Sequence, residues 1–220
     1  MEFNIKLTFV FIMCMILNFN VAAKEKISLL APYDEWYFNF FYPDSLPAEV
    51  TYVELLDTDG IYYQFRTLAS TNASPGSVGQ WSEKVSGMSS VFNKAKNPPM
   101  SIHFCWDSVI DKKEYETWIT LAGDVWKLML TPYSPPGGGS EKYYLRYLLI
   151  GLAPEGKIGV WLEKPDKPNI RLTDKQILIE TVSGEKMEMC KGISRHDFSL
   201  GDDEYVLEFI KDKKYPYGNW

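Results

Sequence analysis

Histidine is nearly absent from this chain, at two residues in 220, and cysteine is scarce, at three. A transition-metal site draws on three or four clustered nitrogen and sulfur ligands. With only His103 and His196, and with no C-x-x-C or H-E-x-x-H spacing, such a site has little to be built from, and each histidine reads as an ordinary, partly exposed side chain. No block of lysine and arginine stands out from a net charge of −6, so the electrostatic footprint of nucleic-acid binding is missing. The G-x-S-x-G elbow of serine hydrolases and the glycine-rich phosphate loop are also missing. No cofactor is implied.

Weaker matches dissolve on inspection. Asp57-Thr58-Asp59-Gly60 starts like a calcium loop, but the remaining oxygen ligands and the glutamate twelve positions from its start are lacking, so it reads as a hairpin turn. Ser183 and Lys186 satisfy S-x-x-K, a spacing that in some enzymes activates a serine, yet the partner motifs S-D-N and K-T-G are absent. Asp107, Glu114 and Glu116 are acids near strand ends, and nothing in their spacing places two of them across a cleft for acid–base work. They read as solvated surface. The pattern points to a protein that is not an enzyme.

Long apolar runs are lacking beyond the opening residues, and that isolates the one at the start. Lys6 precedes Leu7 to Leu17, apolar apart from Thr8, and Val21-Ala22-Ala23 supplies small residues before a cut. This is the layout of a secretory signal peptide over residues 1–23, cleaved after Ala23. The run is too short for the roughly 20 residues that span a bilayer. Lipidation at Cys14 would require a small residue in front of it, and Met13 is not small. The expectation is an exported protein, residues 24–220, with one globular domain and no transmembrane segment. Cys105 and Cys190 then remain, in a compartment that permits a disulfide; whether they bond or stay two buried thiols is open at this point.

Aromatic residues are plentiful, with 14 Tyr, 12 Phe and 7 Trp. Aromatic and β-branched runs read as strands at residues 36–42, 50–56, 61–65, 101–106, 115–121, 143–152 and 158–162. Turn chemistry joins 50–56 to 61–65 and 143–152 to 158–162 as hairpins. Residues 70–100 read as a long irregular loop and 135–139 as a flexible tip. Short helices are expected at 125–130 behind Asp124, after the Thr173/Gln176 capping pair, and near the C-terminus behind Asp202, where Tyr205, Val206, Phe209 and Ile210 form an apolar stripe. The expected fold is mainly β (α+β): an antiparallel sheet or sandwich with two or three short helices, the C-terminal one packed on the sheet. Trp81, Tyr133 and Trp220 fall in loops or at the terminus, where burial is not forced, and are the candidate partner-binding residues.

Several segments carry a resemblance: Pro32-Tyr33-Asp34-Glu35-Trp36, Trp106-Asp107-Ser108-Val109, the run Ile150 to Gly156 followed by Val160-Trp161-Leu162, and Pro216-Tyr217-Gly218-Asn219-Trp220. From about Tyr33 to Trp220 the chain resembles the bacterial lipoprotein family called domain of unknown function 2931. The resemblance implies a Gram-negative envelope protein and brings no catalytic residues. It also implies a link to toxin–immunity loci, including those that deliver phospholipases. The expected function is therefore a periplasmic, non-catalytic immunity protein that binds a secreted effector. A cell-envelope module for glycan or lipid is the alternative.

Overall fold

The computed structural model describes residues 29–135 and 137–220. The expected signal peptide and Cys14 lie outside the described residues. Two sheets pack face to face. The first contains β1 (Trp36–Pro43), β4 (Asn72–Ser74), β5 (Lys94–Ala95), β8 (Tyr147–Ala153), β9 (Lys157–Leu162) and β10 (Ile170–Arg171), in the order β10-β9-β8-β1-β4 with β5 also on β1. The second contains β2 (Ala48–Asp57), β3 (Tyr62–Phe65), β6 (Pro99–Ser108), β7 (Lys113–Leu121) and β11 (Ile177–Ser183), in the order β11-β7-β6-β2-β3. The second sheet is antiparallel throughout, whereas β1 runs parallel to both β8 and β4 in the first.

Period-two alternation sets the core. Trp36, Phe38 and Phe40 of β1 meet Ile102, Phe104 and Trp106 of β6 between the sheets, together with Leu148, Ile150 and Leu152 of β8. Burying an aliphatic or phenyl side chain of this kind stabilises the fold by about 1.5–3 kcal/mol. In β2 the alternation changes phase. Ala48 and Val50 face inward, then Val53 and Leu55 do, because the register slips between Val50 and Tyr52. A bulge of this kind adds one residue and swaps the faces beyond it. Tyr52 is thereby turned to the outer face, beside Cys105.

The mainly β architecture and both hairpins match the sequence reading, and β4, β5 and β10 are short additions to it. One element differs. Ile177-Leu178-Ile179, expected to follow the capping pair as a helix, begins β11, which pairs with β7 from Ile177↔Leu121 to Ser183↔Tyr115. The Thr173/Gln176 pair exists, but as a turn: Gln176 Oε1 accepts from the Thr173 amide at 3.2 Å. Ile177, Ile179, Thr181 and Val182 are β-branched, and the open edge of β7 supplies a full ladder, so tertiary pairing outweighs a local cap.

Two short helices complete the chain. α1 (Gly123–Leu130) starts from Ala122, with Asp124 in its first turn and paired to Lys127 instead of capping. α2 (Glu204–Ile210) starts from Asp203, one residue later than expected, and docks through Val206; Tyr205 and Leu207 stay exposed. No helix among the described residues is long and apolar enough to cross a membrane.

Candidate binding cleft

Two of the sequence-derived candidates are packing residues. Trp81 is 8% exposed, so it is not the free loop anchor its setting suggested. It stands on the outer face of the first sheet with Phe41, Leu149 and Trp161, and half-buried Trp220 closes over it at 5.1 Å between ring centroids. The reason lies in two glycines. Gly151 of β8 and Gly159 of β9 face each other across the ladder, and a Cβ at Gly151 would come within 2.6 Å of the Trp81 ring. The flat patch left by these residues seats indole rings directly on the backbone. The chain end is tied there too: Asn219 donates to the Gly79 carbonyl at 2.9 Å, and Trp220 Nε1 to that of Pro216 at 3.1 Å. The Gly-Leu-Ala-Pro-x-Gly hairpin and the Pro-Tyr-Gly-x-Trp terminus thus build one aromatic cluster, and Gly156, at φ +71°, closes the hairpin turn.

The acids also differ from the surface reading. Asp107 and Glu116 are 1% and 0% exposed. Asp107 Oδ2 accepts the amides of Arg195 and His196 at 3.0 and 3.2 Å. Glu116 accepts the amides of Glu188, Met189 and Cys190, and His103 Nε2 lies 2.8 Å from its Oε1. Burial pushes the Glu116 carboxyl up, but the backbone donors, led by Cys190 and Glu188, and His103 outweigh it and hold it below the ordinary value. Asp57, fully buried, accepts the amides of Asp59 and Ile61 within its own hairpin, which replaces the calcium-loop pattern by a turn. These carboxylates fasten loops.

Cys105 and Cys190 are joined by a disulfide across a sequence separation of 85. His103, Glu116 and Cys190 come together as metal ligands would, within 4.8 Å of one another, but the Cys190 sulfur is committed to Cys105 and the Glu116 oxygens to backbone amides. Ser183 ends β11 and Lys186 is exposed in the following turn, with no hydrogen bond between them among the described residues.

The concave feature with the richest binding chemistry lies where the two long loops meet. Tyr133 and Tyr143 exchange backbone hydrogen bonds of 2.8 and 3.0 Å and stack at 5.6 Å, pinning the base of the Pro/Gly loop between them. Tyr133, half-buried, is thus a clasp at the base of this loop. The facing loop, residues 85–92, is fastened to the sheet. Asn39 accepts the Met88 amide and donates to the Met88 carbonyl. Glu163 Oε2 accepts the Gly87 amide at 2.8 Å while its Oε1 pairs with Lys167 at 2.8 Å, and the Tyr147 hydroxyl meets Ser89 Oγ at 2.8 Å.

Between the loops lies a cleft of about 880 Å³ with Tyr33, Tyr143, Tyr144, Arg146, Tyr147 and Glu163 among its walls. Tyr33 and Tyr144 meet edge to face at 5.4 Å, and Tyr147 stacks on Tyr37 at 5.3 Å. The Arg146 guanidinium stands 6.0 Å from the centre of the Tyr33 ring and donates to the Glu35 carbonyl at 3.4 Å. The Tyr33 hydroxyl is buried without a hydrogen-bond partner among the described residues, and burial drives its ionisation well above the ordinary value, with Arg146 opposing.

Tyr144, Arg146 and Tyr147 escaped the sequence reading because residues 143–152 read as one strand. The strand begins only at Tyr147, so Tyr143, Tyr144 and Arg146 before it line the cleft while Leu145 between them is buried in the core. The signal was there: two adjacent tyrosines followed by an arginine break the alternation a half-buried strand requires.

No curated protein and no solved structure is significantly similar to the chain. The family model described as "Protein of unknown function (DUF2931)" matches residues 20–218, nearly the whole sequence, and the chain belongs to that family.

Proposed function

We propose that this protein is an exported, non-catalytic binding protein whose loop end grips a protein partner, and that the partner is a secreted antibacterial effector which it neutralises in the periplasm. The observation that carries the binding reading is the Tyr33/Arg146/Tyr147 cleft, walled by the 133–143 loop and bordered by Gly87 of the 85–92 loop. Serine- and glycine-rich loops around tyrosine and arginine anchors, held on a rigid sandwich, are the composition of protein-recognition surfaces. Met88, Val91 and Phe92 add exposed apolar side chains to the same loop, at 53%, 75% and 46% exposure. The effector as partner rests on the family resemblance.

The test is a competition on a solid surface. A strain lacking this gene and any neighbouring effector gene is grown against its parent, and against a parent with disabled secretion machinery. Killing only by the secretion-competent parent, with rescue by the full chain expressed in the victim, supports the reading. Equal survival in both pairings removes it.

A second reading is a small-ligand module for glycan or lipid. The cleft favours it by its volume, which falls within the roughly 300–1,000 Å³ of ligand sites, and by its tyrosine walls. Saturable binding of such a ligand by the purified protein, with no protein partner found, would select it.

A further inference from the structure

Arg146 stands out among the charged groups of the cleft. Glu163, whose amide bonds the Tyr147 carbonyl at 2.9 Å, is committed to Lys167 and to the Gly87 amide. Glu35, the acid that follows Tyr33 and Asp34, is paired with Lys94 at 2.6 Å. Lys142 donates to Ser134 within its own loop, and Glu141 sits exposed at the rim. No carboxylate among the described residues lies within 4 Å of Arg146. Its positive charge is felt by both Glu35 and Tyr33. A long bond to one carbonyl and a position over the face of the Tyr33 ring leave most of its five N–H groups unengaged among the described residues. A half-buried guanidinium held against an aromatic ring is pre-organised to receive a carboxylate through two parallel hydrogen bonds.

We infer that the cleft receives an acidic segment of a protein partner, with an Asp or Glu carboxylate on Arg146 and a neighbouring apolar or aromatic side chain against Tyr33, Tyr144 and Tyr147. This rests on the protein-binding reading above and adds to it the chemistry of the anchor. The tyrosines supply rigid contact area at low entropic cost, and the arginine supplies direction. Arg146 is the cleft cation best placed for an acid, since Lys142 is tied to Ser134 in its own loop and the Glu163 carboxylate is held by Lys167. Arg146 would act as a binding residue, with no chemistry to perform.

The experiment uses protein purified after expression of the full chain and a phage-displayed library of random dodecapeptides. Selected peptides are expected to share an Asp or Glu beside an aromatic or large apolar residue. A synthetic peptide of that sequence should lose about tenfold or more in affinity on Arg146→Gln, and by a similar factor when its acid is changed to the amide. Combining the two changes should cost little beyond either alone, the mark of a direct contact. Arg146→Lys keeps the charge but not the fork and should fall in between. The peptide amide variant needs no change in the protein, so the test stands even if Arg146→Gln disturbs folding. A neutral or basic consensus, no binders at all, or an acidic peptide indifferent to Arg146→Gln would each overturn the proposal. So would a uronic-acid oligosaccharide that binds tightly, is weakened by Arg146→Gln and displaces every selected peptide. Equal survival in the competition assay would instead remove the effector reading alone and leave an Arg146-dependent acidic peptide standing.

Discussion

Cys105 and Glu116 face each other across the β6–β7 ladder, and both hold the same piece of chain. Cys105 is bonded to the Cys190 sulfur, while Glu116 Oε2 accepts the Cys190 amide at 3.1 Å and that of Glu188 at 2.7 Å. One covalent bond and one buried carboxylate therefore pin residues 187–190 over the outer face of the second sheet, where Met187 packs on Tyr52. Asp107, two positions along β6 from Cys105, holds Arg195 and His196 in the same way. The segment between β11 and α2 has little regular structure of its own, so these side chains replace the ladder it lacks.

Reducing the disulfide should destabilise the protein by about 2–4 kcal/mol, the usual effect of opening a long closed loop. Urea unfolding with and without dithiothreitol gives the difference, and hydrogen exchange gives its location. Residues 187–196 should lose protection first, while β6 and β7 keep theirs. An unchanged urea midpoint together with unchanged exchange would show that the Glu116 and Asp107 clamps suffice alone.

Glu116 gives the fold an acid-sensitive contact. Its folded-state pKa is depressed below the ordinary value of 4.5, because the Cys190, Glu188 and Met189 amides and His103 outweigh the cost of burial. A depressed carboxylate contributes stability that is fully present above 4.5 and is lost as pH falls through the folded value. Glu116→Gln should therefore cost about 1.5–3 kcal/mol at pH 7, the range for hydrogen bonds to a charged group. The gap between wild type and variant should narrow as pH drops below 4.5. Glu54, also held below its ordinary value against burial by the Tyr62 and Tyr52 hydroxyls, adds to the acid sensitivity of both proteins. A gap that stays constant down to about pH 3 would mean that the cost of the substitution is steric and owes nothing to the carboxylate charge.

The strands were legible because their pattern is local. Ile102-His103-Phe104-Cys105-Trp106 alternates without ambiguity, and so does the hairpin around Pro154 and Gly156. What failed was long-range. Whether Trp81 is buried depends on Gly151, 70 residues away, and nothing near Trp81 announces it. Asp107 and Glu116 look solvent-facing within their strands, and only a later segment covers them. The cleft was illegible for the same reason: Gly87, Arg146 and Glu163 lie in three separate segments that only the fold joins.

Gly151 and Trp81 should behave as a coupled pair. Gly151→Ala places a methyl group within 2.6 Å of the indole and within 3.0 Å of Phe41, and overpacking of this kind costs about 1–3 kcal/mol. Trp81→Ala removes a buried indole and should cost about 3–5 kcal/mol. The double variant should be more stable than the sum of the two predicts, because the space Trp81 vacates accepts the new methyl. Strict additivity in urea titrations would mean that the sheet, and not the ring, absorbs the clash.

Tyr33→Phe isolates stability from binding. The Tyr33 hydroxyl is buried with no partner among the described residues, so deleting it removes an unsatisfied polar group, and the change should be neutral to about 1 kcal/mol stabilising. Tyr115→Phe makes the control, since its hydroxyl donates to Asp111 at 3.0 Å and its loss should destabilise by about 1 kcal/mol. Alkaline pH gives a second comparison of Tyr33→Phe with wild type. Burial raises the folded-state pKa of Tyr33 above its ordinary value of 10.0, so wild type keeps this contribution below 10.0 and loses it as pH rises through the folded value. Tyr33→Phe has no such group, and its advantage in urea midpoint should widen above pH 10.0. The phenyl ring still lines the cleft beside Arg146, so peptides selected on the native protein should bind the variant with unchanged affinity. A loss of affinity would show that the hydroxyl is exposed by partner binding and donates to it; a loss of stability would show that it already has a partner in solution.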